Sequence, residues 1–501
     1  MPPTPDKTFR DTCDLLVIGG GINGCGIARD AAGRDLDVVL VEAGDIGGGT
    51  SSASTKLIHG GLRYLEFYEF KLVRKALAER EVLLNLAPHI SWPLPFVLPL
   101  SEDTRPGWLI RIGLWLYDRL AKRTSIPNSS KIDLRRDRAG FVVAAKYKHA
   151  FRYWDGWVDD SRLCILNAQD ALARGAEIVT RDGVESAFPS DDGWLVVLES
   201  GRELYARKIV NCTGPWAEQV AQDVLGVEDA PRLNLVQGAH IVVPRIGRQE
   251  DALMLQQPDG RVVFVLPYHD RYSLIGTTET AIASPDESGA TDSEVDYLLD
   301  AANRYISRPI ARDDIIAAFA GVRPLVLEEG KDARETSREW LLHDHAGTEA
   351  LTVIGGKLTT YRLLAEAALK KLYPETRAWT ATTRLPGGDI PVVRGKSARD
   401  AFLIWRAALV ERFADYDPDI VVRLANVYGT RAVLMLEQGL GRNLGGIFET
   451  ELDYLSAEEW ATSAEDVLWR RTKLGLSVEM ATVTNIESWF AKSFGASYTS
   501  P

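Results

Sequence analysis

The feature that most limits how this chain can fold is Gly19-x-Gly21-x-x-Gly24, set between two short apolar runs near the N-terminus. Asp14-Leu-Leu-Val-Ile18 is a buried-strand pattern that runs straight into it. A small-residue stretch through Ala28, Ala31 and Ala32 follows, and Asp37-Val-Val-Leu-Val-Glu42 reads as a second buried strand. Strand, glycine turn, helix and strand make a βαβ opening. Gly19 permits the tight turn, Gly21 lets a pyrophosphate approach the backbone, and Gly24 lets the helix pack on the strand. The helix N-terminus offers its N–H groups and the positive end of its dipole to the phosphates. Glu42 closes the second strand, where a carboxylate accepts both hydroxyls of an adenosine ribose and repels a 2′-phosphate.

Two further stretches favour FAD over NAD. Gly47-Gly-Gly-Thr-Ser-Ser-Ala-Ser54 follows at once, bringing Ser51, Ser52 and more backbone donors than an NAD site needs. Strand-like Lys208-Ile-Val-Asn-Cys212 ends in Thr213-Gly214, a flavoprotein habit. No second G-x-G-x-x-G opens a βαβ unit, so one dinucleotide is bound and electrons neither come from nor go to a nicotinamide. Farther on, apolar Leu351 to Ile354 leads into Gly355-Gly-Lys-Leu-Thr-Thr360 and a helix. Gly356, Lys357, Leu358 and Thr359 would place that helix N-terminus against the flavin pyrimidine, where its dipole favours the negative charge of the reduced ring. The plainer alternative is that Thr359 or Thr360 caps the helix and touches no flavin.

A chain of 501 residues predicts two or three lobes. Mixed strand and turn patterns run from about Asp159 to Leu385, including Trp194 to Leu198 and Arg261 to Leu266. Beyond the linker-like Leu385 to Pro391, stretches Ala398–Asp415, Ile420–Val427, Arg431–Leu440 and Ala457–Leu474 read as helices. The expected division is 1–385, an FAD-binding domain with an interleaved β-rich substrate subdomain, and 386–501, an all-α C-terminal domain. The net charge of −12 argues against a nucleic-acid partner. An acidic protein acting on an anion must gather its basic residues locally. Cys13, Cys25, Cys164 and Cys212 carry no metal-ligand spacing, so no metal is expected and a reducing, cytoplasmic setting fits. The N-terminus lacks the apolar core of a secretory signal.

Val82 to Ser101 has no charged residue, yet Pro88, Pro93, Pro95 and Pro99 forbid a spanning helix. It reads as an extended buried or interfacial segment. Trp108-Leu-Ile-Arg-Ile-Gly-Leu-Trp-Leu-Tyr117, followed by Arg119, Lys122 and Arg123, has two readings of equal standing. One is a helix lying in a headgroup plane with Leu114 and Trp115 toward lipid. The other is a core helix ringed by surface charge.

Ser54-Thr-Lys-Leu-Ile-His-Gly-Gly-Leu-Arg-Tyr-Leu-Glu66 strongly resembles the segment after the FAD fold in aerobic glycerol-3-phosphate dehydrogenases. Ala320-Gly-Val-Arg-Pro-Leu325, Gly355-Gly-Lys-Leu-Thr-Thr-Tyr-Arg362 and Asp466-Val-Leu-Trp-Arg-Arg-Thr-Lys473 resemble that family in the same order, over nearly the whole chain. The Ala-Gly-Val-Arg-Pro element is shared more widely, with glycine- and D-amino-acid-oxidase-like flavoproteins. The resemblance implies an FAD-binding Rossmann-like α/β fold of the glutathione-reductase and D-amino-acid-oxidase type. It implies a peripheral enzyme of the cytoplasmic membrane that oxidises sn-glycerol 3-phosphate to dihydroxyacetone phosphate, passes electrons to ubiquinone and is able to form a homodimer.

That chemistry needs a C2 hydride aimed at the flavin, a group to take the hydroxyl proton, and cations for the phosphate. Arginine binds phosphate oxygens two at a time. By resemblance Arg323, Arg338 and Lys357 line the substrate pocket, joined by Arg63 and Tyr64. For the base, the family motif favours His240, while His59, flanked by glycine, either takes that role or contacts the cofactor. Arg323 would also stabilise the developing alkoxide. An oxygen-using oxidase of the same substrate, an amino-acid oxidase and a non-catalytic flavin scaffold are the rival readings.

Overall fold

A computed structural model describes residues 10–101, 104–122, 126–247, 250–326 and 339–495. The first strand, Thr12–Ile18, lies at the centre of an eight-stranded sheet. It pairs in parallel with Val38–Glu42 on one side and with Glu203–Asn211 on the other. Val38–Glu42 continues in parallel to Glu177–Thr180, and Glu203–Asn211 to Ala350–Ile354. These strands are apolar runs rather than alternating ones because both faces are covered. Leu15, Val17, Val38 and Leu40 pack on the helices Ile22–Ala32, Asp160–Ala173 and Tyr361–Leu372, while Leu16, Ile18, Val39 and Val41 face a second core against Trp194 and Leu204.

The parallel sheet explains why dinucleotide-binding segments far apart in sequence meet. Thr12–Ile18, Glu203–Asn211 and Ala350–Ile354 all end at the same edge. So Gly19–Gly24, Thr213–Gly214 and Gly355–Thr359 emerge side by side, which is where ligands bind in such sheets.

A ten-stranded second sheet stands over that edge. Its backbone is the order Thr280–Ile282, Leu233–Pro244, Tyr272–Gly276, Val262–Tyr268, Ala252–Gln256, Ser91–Pro99, His149–Val158 and Leu57–Ile58. The long strand Ala317–Val326 pairs antiparallel with Leu233–Pro244, setting Arg323 opposite Val236 and His240 opposite Phe319. The proline-rich segment 82–101 resolves into the end of helix Phe70–Leu86 and strand Ser91–Pro99, which is largely buried. Pro93, Pro95 and Pro99 lie within a strand whose partners are His149–Val158 and Ala252–Gln256. Among the described residues no helix is long and apolar enough to cross a membrane.

Beyond Leu385 the chain is helical: Ala398–Arg412, Pro418–Tyr428, Ala432–Gln438, Glu449–Glu459 and Met480–Gly495. The expected helix 457–474 does not form as one piece. The helix stops at Glu459, Trp460 takes a left-handed conformation (φ 57°), and a π-helical segment spans Asp466–Arg471. That break has a use, because the two pieces together carry the ion pairs that join the helices to the dinucleotide domain. Arg470 and Arg471 both reach Asp45, Arg181 pairs with Asp466 at 2.5 Å, and Arg162 forks onto Glu459. Bidentate pairs of this kind, removed from water, fix geometry; losing one partner leaves a buried charge uncompensated. All four cysteines are buried and unpaired, and burial pushes the Cys13 thiol up to about 12.

Candidate active site

Gly19 sits at φ 105°, a conformation that L side chains rarely adopt, and a Cβ there would lie 2.7 Å from the Cys212 carbonyl oxygen. A Cβ on Gly24 would lie 1.9 Å from the Gly19 carbonyl oxygen, so only glycine lets the helix come this close. Gly21 differs: its missing Cβ faces a cavity and meets only the Ser51 hydroxyl at 3.2 Å. That hydroxyl accepts the Ile22 N–H at 3.0 Å, so Ser51 serves the helix N-terminus from a distant loop. The Glu42 carboxylate accepts the N–H groups of Gly20 (2.6 Å) and Gly44 (2.7 Å), one on each oxygen. Burial raises its pKa and those two N–H groups hold it down. Each oxygen keeps a lone pair for a ribose hydroxyl.

The cavity has a volume of about 370 Å³ and runs from Gly21 and Ser51, past Thr213, Gly214 and Gly356, to Arg323 and His240. Glycine turns and a helix N-terminus at one end fit the pyrophosphate of a dinucleotide, while Glu42, like Gly19 and Gly24 outside the cavity lining, holds its carboxylate against the Gly20 N–H for an adenosine ribose. Lys357, Leu358 and Thr359 line it at the start of the helix that follows. Thr359 caps nothing, and neither does Thr360. Instead the Thr359 hydroxyl accepts the His59 N–H at 3.1 Å, clamping the two loops together. Asn23 does the same from the first helix, donating to the Gly355 carbonyl at 3.1 Å.

At the far end the second sheet delivers the reactive side chains. His240 is 1% exposed, lies parallel to Phe319 with centroids 5.1 Å apart, and bonds through Nε2 to the Thr55 hydroxyl at 2.9 Å. Burial, with the charges of Arg323 and Lys56 adding to it, pushes its pKa down to about 3, so the ring is neutral at working pH. The Arg323 guanidinium bonds the Thr277 hydroxyl at 3.0 Å and the Thr278 carbonyl at 3.5 Å. Gly238 makes room for it: a Cβ there would lie 2.7 Å from Arg323 Nη2. Lys357 Nζ lies 3.9 Å over the Tyr64 ring, a cation–π contact at the cavity wall. His59 also lines the cavity, edge-on to Phe264.

Not every expected residue arrives. Arg63 and Ser52 do not line the cavity; Ser52 instead accepts the Lys56 ammonium on its carbonyl at 3.1 Å. Arg338 lies outside the described residues. Sequence reasoning missed Asp160, which is fully buried and holds the Ser54-Thr-Lys segment in place. It accepts the Lys56 ammonium at 2.8 Å and the Ser54 hydroxyl at 2.7 Å, so Thr55 between them is presented to His240. Its only sequence signal is its place after Asp159, which caps the helix Asp160–Ala173.

The helix Gly107–Tyr117 has two faces. Ile110, Leu114 and Tyr117 are buried, while Trp108, Ile112 and Trp115 are exposed, with Arg119 stacked on Trp115 at 4.4 Å. Leu114 therefore does not point toward solvent, contrary to the interfacial reading; at 1% exposure it belongs to the core beneath. The exposed side chains of Phe67 and Tyr68 extend from the short turn that also carries Tyr64, and exposed Phe70 opens the helix that follows it. Tyr117 accepts the Gly60 N–H at 2.8 Å and bonds buried Asp155, tying this helix to the loop that carries His59.

A parallel sheet with glycine turns at its strand ends, a ribose-holding acid and a second sheet closing over the pocket define an FAD-dependent oxidoreductase. Residues 14–362 match the family described as FAD dependent oxidoreductase, and residues 378–495 match the C-terminal domain of alpha-glycerophosphate oxidase. The chain belongs to the aerobic glycerol-3-phosphate dehydrogenase family, and its cofactor is FAD. It is 44% identical to the aerobic glycerol-3-phosphate dehydrogenase of Escherichia coli (96% of this chain, 98% of that one). It is 45% identical to the glycerol-3-phosphate dehydrogenase of Pseudomonas aeruginosa (94% of each). It is also 44% identical to the D-erythritol 1-phosphate dehydrogenase of Brucella abortus (96% and 98%). Among solved structures, the glycerol-3-phosphate dehydrogenase of Bacillus halodurans complexed with FAD superposes with a TM-score of 0.75 at 26% identity, covering 97% of this chain and 91% of that one.

Proposed function

We propose that this enzyme oxidises the C2 alcohol of sn-glycerol 3-phosphate to dihydroxyacetone phosphate and passes the electrons to ubiquinone at a membrane surface. The observation that carries the reading is the pairing of Arg323 and Lys357 with a neutral, buried His240 in one cavity with the dinucleotide loops. Arg323 and Lys357 bind the phosphate dianion, and Tyr64 holds the Lys357 ammonium. Bound FAD supplies the two-electron acceptor for the C2 hydride. His240 Nε2 takes the C2 hydroxyl proton, exchanging its bond to Thr55 for one to substrate. An imidazole already neutral is ready to accept, and the arriving dianion offsets the charges of Arg323 and Lys56 that hold its basicity down. Arg323 stabilises the negative charge on the C2 oxygen as the proton leaves. His59, held through its backbone, is a cofactor contact rather than the base. Gly19, Gly21, Gly24, Glu42, Ser51, Thr213, Gly214, Gly356, Lys357, Leu358 and Thr359 make the FAD site.

The exposed Trp108, Ile112 and Trp115 beside Arg111, Arg119 and Lys122 support attachment in a headgroup plane, next to the turn that carries Tyr64. A second substrate reading rests on the relative from Brucella abortus, whose name gives D-erythritol 1-phosphate. It shares the phosphate and the secondary alcohol and adds one CHOH unit. Anaerobic titration of the yellow holoenzyme with each polyol phosphate separates the two by which one bleaches the flavin. Reoxidation by a ubiquinone analogue, slow with oxygen, is the expected outcome; fast reoxidation by oxygen would make it an oxidase. A flavin bleached by neither phosphate refutes the reading.

A further inference from the structure

Outside the cavity, three metal-ligating side chains converge on the edge of the dinucleotide sheet. His343 lies in the strand Leu341–Asp344 and His345 follows just beyond its end, two positions on, so both rings leave the same face. Asp229 approaches from the loop before Leu233. One donor atom from each lies within 4.8 Å of the others. His345 Nδ1 is 2.7 Å from the Asp229 carboxylate, and His343 Nε2 is 3.4 Å from its second oxygen.

We propose that Asp229, His343 and His345 form a site for one divalent transition-metal ion of the zinc type. Imidazole and carboxylate are the ligands such ions choose, and three of them with one open side leave a position for water. Donors placed tetrahedrally at about 2.1 Å from such an ion stand roughly 3.4 Å apart. The His343–Asp229 separation of 3.4 Å already matches. The His345–Asp229 contact has to open, and the Asp229 side chain, 44% exposed, is able to swing.

The surroundings of His345 carry the argument further. Its side chain is fully buried, and its other ring nitrogen, Nε2, sits 2.7 Å from the Thr352 hydroxyl. A metal-bound histidine donates its second ring N–H to an oxygen, which fixes the tautomer and aims the ligating nitrogen outward. Thr352 is that oxygen, and it belongs to the buried strand Ala350–Ile354 rather than to a loop. With Nε2–H donated to Thr352, the Nδ1 lone pair faces the carboxylate, and a cation between the two relieves their repulsion. Thr352 is in turn 3.4 Å from Asn211 Nδ2, and Asn211 Oδ1 accepts the Thr213 hydroxyl at 2.7 Å, so the cluster joins the cavity wall through hydrogen bonds.

The composition of the chain predicts no metal, because its cysteines lack ligand spacing. Here the ligands come from positions 229, 343 and 345, which only the fold brings together. The test is titration of tag-free holoenzyme with Zn²⁺ by calorimetry and with Co²⁺ by visible absorbance. One equivalent should bind saturably, and His343→Ala and Asp229→Asn should each weaken binding by at least about 10-fold. Both positions are partly exposed and outside the catalytic cavity, so turnover should be unchanged. His345→Ala is avoided because its side chain is buried. No saturable uptake, or uptake unchanged in both variants, overturns the proposal.

Discussion

Replacing Trp115 by glutamate is the most direct probe of the membrane reading. Trp115 is 55% exposed on the outer face of the helix Gly107–Tyr117. A tryptophan offers up to about 250 Å², so roughly 140 Å² is available to lipid. At about 25 cal/mol per Å² its transfer is worth about 3.5 kcal/mol, and glutamate recovers none of that. Vesicle partitioning should therefore fall by roughly 300-fold. The assay is sedimentation with anionic phospholipid vesicles, with thermal melting and flavin content as controls for folding. Trp108, 66% exposed on the same side, should behave alike. Leu114→Glu is the contrasting case: its side chain is buried, so a charge there lowers the melting temperature instead. A folded, yellow Trp115→Glu protein that still sediments with the wild-type dependence on lipid refutes the assignment of this face.

Three further outcomes follow from the geometry. Arg323→Ala should retain FAD but lose about 10²- to 10³-fold in turnover, as expected for an electrostatic stabiliser; steady-state kinetics at wild-type rates would remove it from the reaction. Gly21→Val should purify without flavin absorbance, because the side chain fills the cavity at the point where the phosphates approach; a normal flavin spectrum would contradict that placement. His89 and His240 are both pushed down to about 3 by burial, below the ordinary 6.5. The unfolded chain binds protons in that window and the native chain does not, so stability is full above about 6.5 and is lost as pH falls toward 3. His89→Leu should make the acid-side fall in melting temperature shallower; an unchanged slope would mean that other groups drive it.

Local chemistry made much of this protein legible. Glycine at 19 and 24 is required because no other residue survives those contacts, glycine at 21 leaves the cavity open, and apolar runs read as strands because both sheet faces are buried. The Ser54–Glu66 and Gly355–Arg362 motifs led to part of the cavity wall for the same reason: their constraints are local and severe. What the linear chain withheld was direction. Leu114 and Trp115 are neighbours of similar polarity, and only packing decides that one is core and the other surface. Nothing near Asp160 reveals that it clamps Lys56, since the two are joined by tertiary folding alone. Trp460, left-handed where helix was expected, bends the chain so that Arg470 and Arg471 reach Asp45. Nor does spacing unite Asp229 with His343 and His345. The sequence by itself determined which chemistry this protein carries, because backbone geometry and residue type are encoded within a few positions. Only the tertiary structure decided which charges meet, because ion pairs, buried imidazoles and ligand sets depend on separations that chain order does not record.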